Sequence, residues 1–161
     1  MYSKCKLESS TVESNDGVTL RARVFKPNGD VKENLAIVLV HPYSILGGCQ
    51  GLLRGIAAGL TNNGYMAVTF DMRGVGRSTG RPSLTGFSEV NDVISVCKWV
   101  CENLSANTIV LLSSWQWSVS CNLSNGGAPI AGSAVDLIEQ VIGFVSIGYA
   151  FGLIASILFG T

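Results

Sequence analysis

The sequence predicts an α/β fold, a three-layer sandwich with a mostly parallel sheet of about six strands that begins with an antiparallel hairpin. Segments with a strand pattern alternate with segments with a helix pattern along most of the chain. In addition, several predicted strands are continuous apolar runs, such as "LAIVLV" at residues 35–40, as expected of parallel strands covered on both faces. With 161 residues, of which 47% are hydrophobic and 14% charged, we expect a single domain over residues 1–161.

The opening hairpin is predicted from alternation and turn residues. Residues 18–25, "VTLRARVF", alternate between apolar and polar, which is the period of a half-exposed strand. The segments on either side, "NDG" at 15–17 and "PNG" at 27–29, are typical turn sequences. Pairing of this strand with residues 10–13 would make the hairpin.

The next predicted unit is strand, helix, strand. A buried strand at 35–40 is followed by a helix at 51–60 and by a second buried strand at 66–70, which ends at Asp71. Glycines recur in the helix at every fourth position, 51, 55 and 59, and we expect this spacing to let its backbone pack closely against the sheet. A membrane-spanning role for this segment is excluded, because Arg54 interrupts a helix that is too short to span a bilayer.

The second half of the chain continues the alternation. Residues 87–103 have the clearest helical periodicity, with Glu89 and Asp92 largely outside the apolar stripe. A strand at 108–112, a helix at 130–140 and a strand at 141–147 complete the prediction.

Composition excludes several classes of function. The formal net charge is zero, so the chain lacks the basic character expected of a nucleic-acid-binding protein. The polar N-terminus lacks the apolar core of a signal peptide, and the five cysteines contain no CxxC pair, so we expect reduced thiols and a cytoplasmic location. Cys97 and Cys101 are interpreted as small buried residues on one helix face, and we expect neither a metal nor a cofactor.

The loop "DMRGVGRSTG" (residues 71–80) does not indicate a nucleotide site. Its glycines have the spacing GxGxxxG, which differs by one residue from the dinucleotide-binding pattern, and the chain has no Walker lysine motif.

Three segments taken in order resemble the α/β-hydrolase superfamily: "LAIVLVHPYSILGG", "AVTFDMRGVGRSTG" and "GGAPIAGSAVD". The greatest likeness is to small plant members related to esterases and serine peptidases, and it covers roughly residues 10–160. The resemblance implies serine-dependent hydrolysis of acyl esters or amides. It also implies that the strand at 141–147 is followed by a turn at 148–149 and the start of a helix. It also implies a chain truncated at its C-terminus, because such relatives continue through two further strands that carry the catalytic acid and base.

The resemblance assigns roles to two loops. The Tyr43 N–H would be an oxyanion-hole donor and His41 an organiser of the same loop. The alternative is that His41 is an ordinary loop histidine with satisfied hydrogen bonds. Asp71 and Arg73 would fix the next loop through a charge-assisted pair, which is a structural role.

The nucleophile elbow that the resemblance implies, G-x-S-x-G on a tight turn, is not intact. Read without a gap from Ile109, the nucleophile position falls on Trp115. Ser124 in "NLSNG" is the nearest serine nucleophile candidate, and Ser114 is the alternative. We interpret the block 115–125 as inserted or substituted, as an alternatively spliced or mispredicted junction would produce.

The general base of the catalytic triad is the second feature that the chain lacks. Triads in this fold run in the order serine, acid, histidine, yet the one histidine here, His41, precedes the elbow. We therefore expect a catalytically impaired form of a hydrolase.

The last 21 residues, 141–161, carry no charge and meet the length rule for a membrane-spanning helix, but they contain four glycines and no basic flank. Three interpretations stay open: an impaired hydrolase acting on a small acyl substrate, a non-catalytic module that binds a protein partner or a second copy through residues 141–161, and a membrane-tailed protein.

Overall fold

The computed structural model of this protein describes residues 5–29, 34–42, 48–116 and 137–149. Its strands are β1 Lys6–Glu13, β2 Thr19–Lys26, β3 Leu35–Val40, β4 Met66–Asp71, β5 Thr108–Gln116 and β6 Val141–Tyr149. A short 3₁₀ helix, Gln50–Leu53, leads directly into helix α1, Arg54–Asn62, and helix α2 spans Phe87–Asn103.

The six described strands form one mixed sheet in the order β1-β2-β4-β3-β5-β6. Strand β2 pairs antiparallel with both β1 and β4, whereas β4, β3, β5 and β6 run parallel to one another. The predicted α/β sheet with its leading antiparallel hairpin is therefore confirmed.

Alternate residues of the strands build a core on each face of this sheet. Val38 of β3 belongs to the cluster that packs against α2 through Val93 and Val96. Its neighbour Leu39 belongs to the cluster on the opposite face, which includes Ala57 of α1. Because the two helices cover opposite faces, the molecule has the three layers that the sequence predicts.

The glycines of α1 do not have the role predicted for them. Leu53 and Ala57 supply the buried contacts of this region, while Gly55 and Gly59 are exposed. A Cβ added at Gly55 or Gly59 would meet no atom within 4 Å. The prediction of close backbone packing through these glycines is wrong, because the helix face on which they lie is turned to solvent and the face with Leu53 and Ala57 packs on the sheet.

The region around β6 differs from the prediction in two places. Residues 137–140 form a turn rather than the end of a helix, and residues 130–136 lie outside the described residues. Gly148 and Tyr149 continue β6 in register with Trp115 and Gln116 of β5, so no turn occurs at 148–149. Backbone pairing between β5 and β6 continues to Gln116 and Tyr149, beyond the ends of the apolar runs at residues 112 and 147.

No helix in the described residues is long and apolar enough to cross a membrane. The first nine residues of the apolar stretch 141–161 form strand β6, so this stretch is not one continuous helix.

Candidate active site

The candidate site lies at the carboxyl ends of β3, β4 and β5, where α/β proteins place their ligands. His41 and Pro42 follow β3, the glycine-rich segment 72–80 follows β4, and Ser113 lies near the end of β5. Of the residues that the resemblance singles out, the side chains of His41, Asp71 and Arg73 are described. Tyr43 and Ser124 lie outside the described residues.

His41 is fully buried, and both of its ring nitrogens are engaged. The Met72 amide donates to His41 Nε2 at 3.1 Å, and His41 Nδ1 lies 3.0 Å from the Pro42 carbonyl oxygen. Because an amide only donates and a carbonyl only accepts, the proton is on Nδ1 and the Nε2 lone pair is occupied. Burial lowers the pKa of the His41 imidazole, which favours this neutral form. His41 thus links the loop after β3 to the end of β4.

A second link between the same two loops is made by Gln50, which the sequence reading did not identify. The Gln50 amide N–H donates to Asp71 Oδ1 at 2.8 Å, and its side-chain Nε2 donates to Asp71 Oδ2 at 2.7 Å. Nε2 also donates to the Arg21 carbonyl at 3.1 Å, and Oε1 accepts from Thr69 Oγ1 at 3.0 Å. Nothing in the local sequence marks Gln50, because its partners lie on two distant strands.

The predicted pair between Asp71 and Arg73 is wrong. The Asp71 carboxylate is bonded to Gln50, as described above, whereas Arg73 donates to Asp92 of α2 and to Asp16 of the hairpin turn, in each case at 2.7 Å. The two residues still fix the loop after β4, but they do so through partners that lie far apart in the sequence.

Arg73 and Asp92 form a buried bidentate ion pair. Arg73 Nε and the terminal Nη2 both donate to the Asp92 carboxylate, and the Arg73 backbone N–H donates to Asp92 Oδ2 at 2.9 Å. Burial opposes the charged form of Arg73, but the hydrogen bonds to Asp92 and Asp16 outweigh it and hold the pKa of Arg73 above its ordinary value. Asp92 is completely buried, although it lies largely outside the apolar stripe of α2.

Glu89 is also completely buried, although it too lies largely outside that stripe. Its Oε1 accepts from the Ser83 backbone N–H at 2.7 Å, and its Oε2 contacts the Ser83 hydroxyl, which in turn accepts from the Gly86 N–H at 2.9 Å. These hydrogen bonds join the first turn of α2 to the segment that precedes it. They fix the start of α2 beside the loop.

The glycines of "DMRGVGRSTG" are required by the shape of the loop. Gly74 and Gly76 have left-handed backbone conformations, with φ of +71° and +59°. A Cβ on Gly74 would lie 2.5 Å from Pro82 Cδ, and one on Gly76 would lie 2.5 Å from Asp71 Oδ2. The glycines are therefore required by a tight turn that packs against Asp71.

An open cleft of about 480 Å³ separates the two loops. Its lining is mostly apolar and consists of Gly48, Cys49, Leu52, Gly74, Val75 and Gly76. Cys49 is exposed there, whereas burial raises the pKa of the Cys97 thiol to about 12. Within the described residues, no group of histidine, cysteine and carboxylate side chains could hold a metal ion.

The predicted nucleophile junction is described only in part. Strand β5 runs on to Gln116, and the backbone of Ser114 is paired with Ile147, so Ser114 lies in a strand rather than in a turn. Ser113 is completely buried, and its Oγ has no hydrogen-bond partner among the described residues. The interpreted block 115–125 begins inside β5, and its part from residue 117 onward lies outside the described residues.

Sequence comparison identifies related families and proteins. The family model of X-Pro dipeptidyl-peptidases (S15 family) matches residues 16–126. An uncharacterized 31.7 kDa protein from the traX-finO intergenic region of Escherichia coli is 37% identical over 86 residues, which cover 53% of this chain and 28% of the relative. The chain therefore spans less than a third of the length of this curated relative.

Solved structures with the same fold are α/β hydrolases. An alpha-beta serine hydrolase homologue from Coxiella burnetii superposes with a TM-score of 0.69 and 26% identity, covering 91% of this chain and 63% of that one. An esterase from Pyrococcus furiosus superposes with a TM-score of 0.68 and 19% identity, covering 86% and 49%. A serine hydrolase without a lid from Xanthomonas campestris gives a TM-score of 0.60 and 19% identity, with 89% and 84% covered. The last two likenesses bear on the fold alone.

Proposed function

This chain belongs to the X-Pro dipeptidyl-peptidase (S15) family of α/β serine hydrolases. From this premise we propose that it carries the oxyanion-hole loop of a hydrolase site but no general base that could activate a serine. The substrate class would be small acyl esters or amides. The 161 residues by themselves would bind such a substrate without turning it over.

The observation that supports this proposal most strongly is the state of His41. It is the single histidine in the chain, and its two ring nitrogens are committed to Met72 and Pro42. A general base must offer a free lone pair within reach of the serine hydroxyl. A serine without such a base is a weak nucleophile at neutral pH.

The proposed oxyanion hole is supported by the position of the loop after β3, which His41 and Gln50 join to the end of β4 by hydrogen bonds. In α/β hydrolases the loop after the third strand supplies one backbone donor to the oxyanion, and Tyr43 has this place in the sequence. A donor aimed at the developing oxyanion contributes about 3–4 kcal/mol. The Tyr43 N–H is the donor we propose, with Ser124, or alternatively Ser114, as the hydroxyl that would face it.

The test is esterase activity of the purified 161-residue chain. We expect hydrolysis of p-nitrophenyl acetate at the rate given by a Ser114→Ala/Ser124→Ala double variant, since neither serine has a base. Turnover that is saturable and lost in the double variant would contradict the proposal. We also propose that residues 1–161 form one domain and that the protein is cytoplasmic, which expression with a fluorescent tag would check.

A second candidate function, a non-catalytic module that binds a second copy or another protein, is favoured by the edge of the sheet. In the described part of the chain β6 is an edge strand, and Ile142, Phe144 and Val145 are 70%, 36% and 47% exposed. Exposed apolar edges promote strand pairing between chains. Light scattering would detect such association, and Ile142→Lys should abolish it.

A further inference from the structure

Both ends of the segment between β3 and the 3₁₀ helix are bonded to the same strand end. At its start, His41 Nε2 accepts from the Met72 N–H at 3.1 Å. At its end, the Gln50 N–H donates to Asp71 Oδ1 at 2.8 Å. Because Asp71 and Met72 are consecutive, the two ends of the segment are held at one point of β4.

The two ends also contact each other. A Cβ added to Gly48 would lie 2.1 Å from the Pro42 carbonyl oxygen and 3.3 Å from His41 Nδ1. This carbonyl is the one that accepts the His41 Nδ1 proton. Only a glycine allows this approach, so Gly48 packs directly against the hydrogen bond that orients the imidazole.

Gln50 is held in one position by burial and by its hydrogen bonds. It is 4% exposed, and its backbone N–H, side-chain amide and side-chain carbonyl all have partners, on β2 and β4. A buried amide whose donors and acceptors are all satisfied has one favoured placement, because any shift leaves a polar group unpaired.

We propose that Gln50 is a positioning residue for the loop after β3: it holds Gly48 against the Pro42 carbonyl and thereby keeps the His41 imidazole in its neutral, Nδ1-protonated form bonded to Met72. These hydrogen bonds, the close approach of Gly48 to Pro42 and the chain between Gly48 and Gln50 form a closed ring that runs from Asp71 through Gln50, Gly48, Pro42 and His41 to Met72. The catalytic meaning of this ring rests on the proposed oxyanion role of Tyr43, but the coupling of Gln50 to His41 does not.

The single histidine makes the test direct, since every imidazole NMR signal of the chain belongs to His41. In the parent protein we expect a slowly exchanging Nδ1 proton and the ¹⁵N shifts of one neutral tautomer. Gln50→Ala should make that proton exchange about tenfold faster and move the ¹⁵N shifts towards a mixture of tautomers.

A control and a rescue separate positioning from general stability. Thr61→Ala removes a buried hydrogen bond to the Ala57 carbonyl, 2.7 Å long and remote from the ring, and should leave the His41 signals unchanged. Asp71→Asn places two amide donors against each other. Gln50→Glu/Asp71→Asn restores a donor and an acceptor between these two side chains but sets a carboxylate oxygen against the Arg21 carbonyl, so its His41 signals should lie between those of Asp71→Asn and those of the parent.

His41 signals that stay the same in a folded Gln50→Ala protein would overturn the proposal, as would an equal change in Thr61→Ala. If Gln50→Ala does not fold, Thr69→Val removes one Gln50 partner and should give a smaller change of the same kind. Unchanged signals in folded Thr69→Val would then overturn it. These readouts involve no turnover, so their failure is distinct from a failure of the proposed hydrolase function.

Discussion

The amide N–H of Met72 points at Nε2 of His41 from 3.1 Å away. This relationship fixes the tautomer of the only imidazole in the chain and occupies the lone pair that a general base would use. The histidine of the "HPY" motif is therefore a structural group that ties two loops together. Two interpretations of His41 were open: an organiser of its loop, or an ordinary loop histidine with satisfied hydrogen bonds. The bonds to Met72 and Pro42 are compatible with both.

The first prediction concerns the pH dependence of stability. Burial lowers the pKa of His41 below its ordinary value of 6.5. Just below pH 6.5 the imidazole is therefore protonated in the unfolded chain but still neutral in the folded chain. The free energy of unfolding should be unaffected above pH 6.5 and should fall as the pH drops below it, by at most about 1.4 kcal/mol per pH unit. Urea unfolding between about pH 7.5 and 5 measures this slope. His41→Gln should remove the slope, and an equal slope in that variant would assign it to other groups.

The second prediction compares two partners of Arg73. Asp92→Asn should lower the free energy of unfolding by about 3–5 kcal/mol, because it leaves a buried guanidinium without its bidentate partner. Asp16→Asn should cost less than about 1 kcal/mol, because the Asp16 side chain is 49% exposed and its ion pair is screened by water. Urea unfolding of both variants at neutral pH makes the comparison. Equal losses would show that burial does not determine the strength of these pairs.

The third prediction concerns two glycines with opposite roles. Gly59→Ala should stabilise the protein by up to about 1 kcal/mol, since Gly59 is helical and exposed and a Cβ there meets nothing. Gly76→Ala should destabilise it by about 2 kcal/mol or more, since φ is +59° and the Cβ would collide with Asp71. Thermal unfolding would show the difference. A lower melting temperature for Gly59→Ala would restore the close-packing role that the sequence predicts.

The fourth prediction concerns the Ser113 hydroxyl, which has no hydrogen-bond partner among the described residues. Ser113→Ala should raise the free energy of unfolding by about 1 kcal/mol, because it removes a buried polar group that has no partner among the described residues. Ser95→Ala is the matched control, since the Ser95 hydroxyl donates to the Asn91 carbonyl at 2.8 Å, and its loss should be neutral or destabilising. Destabilisation by Ser113→Ala would mean that this hydroxyl is bonded in solution.

Much of the fold could be predicted because it depends on local patterns. The apolar run 35–40 and the helical periodicity of 87–103 mark β3 and α2 at the boundaries that the structure has. Strand β5, in contrast, extends to Gln116, past the apolar run that ends at residue 112. Its polar end is held by backbone pairing with β6, which side-chain periodicity does not report.

The candidate site was predicted less completely, because its contacts join residues that are far apart in the chain. Gln50 and Asp71 are separated by 21 positions, and Arg73 and Asp92 by 19. The helical pattern places Asp92 outside the apolar stripe, and its burial is explained by an ion pair with Arg73, which belongs to a different part of the chain. Loop motifs identified the right loops, but they did not identify the partners within them.

The central claim is that no imidazole in these 161 residues can activate a serine. The most direct test is exposure of the purified chain to a fluorophosphonate probe, followed by mass spectrometry of its peptides. We predict no covalent adduct on Ser114 or Ser124 above the level in the Ser114→Ala/Ser124→Ala control. A stoichiometric phosphonyl adduct on either serine would contradict the claim.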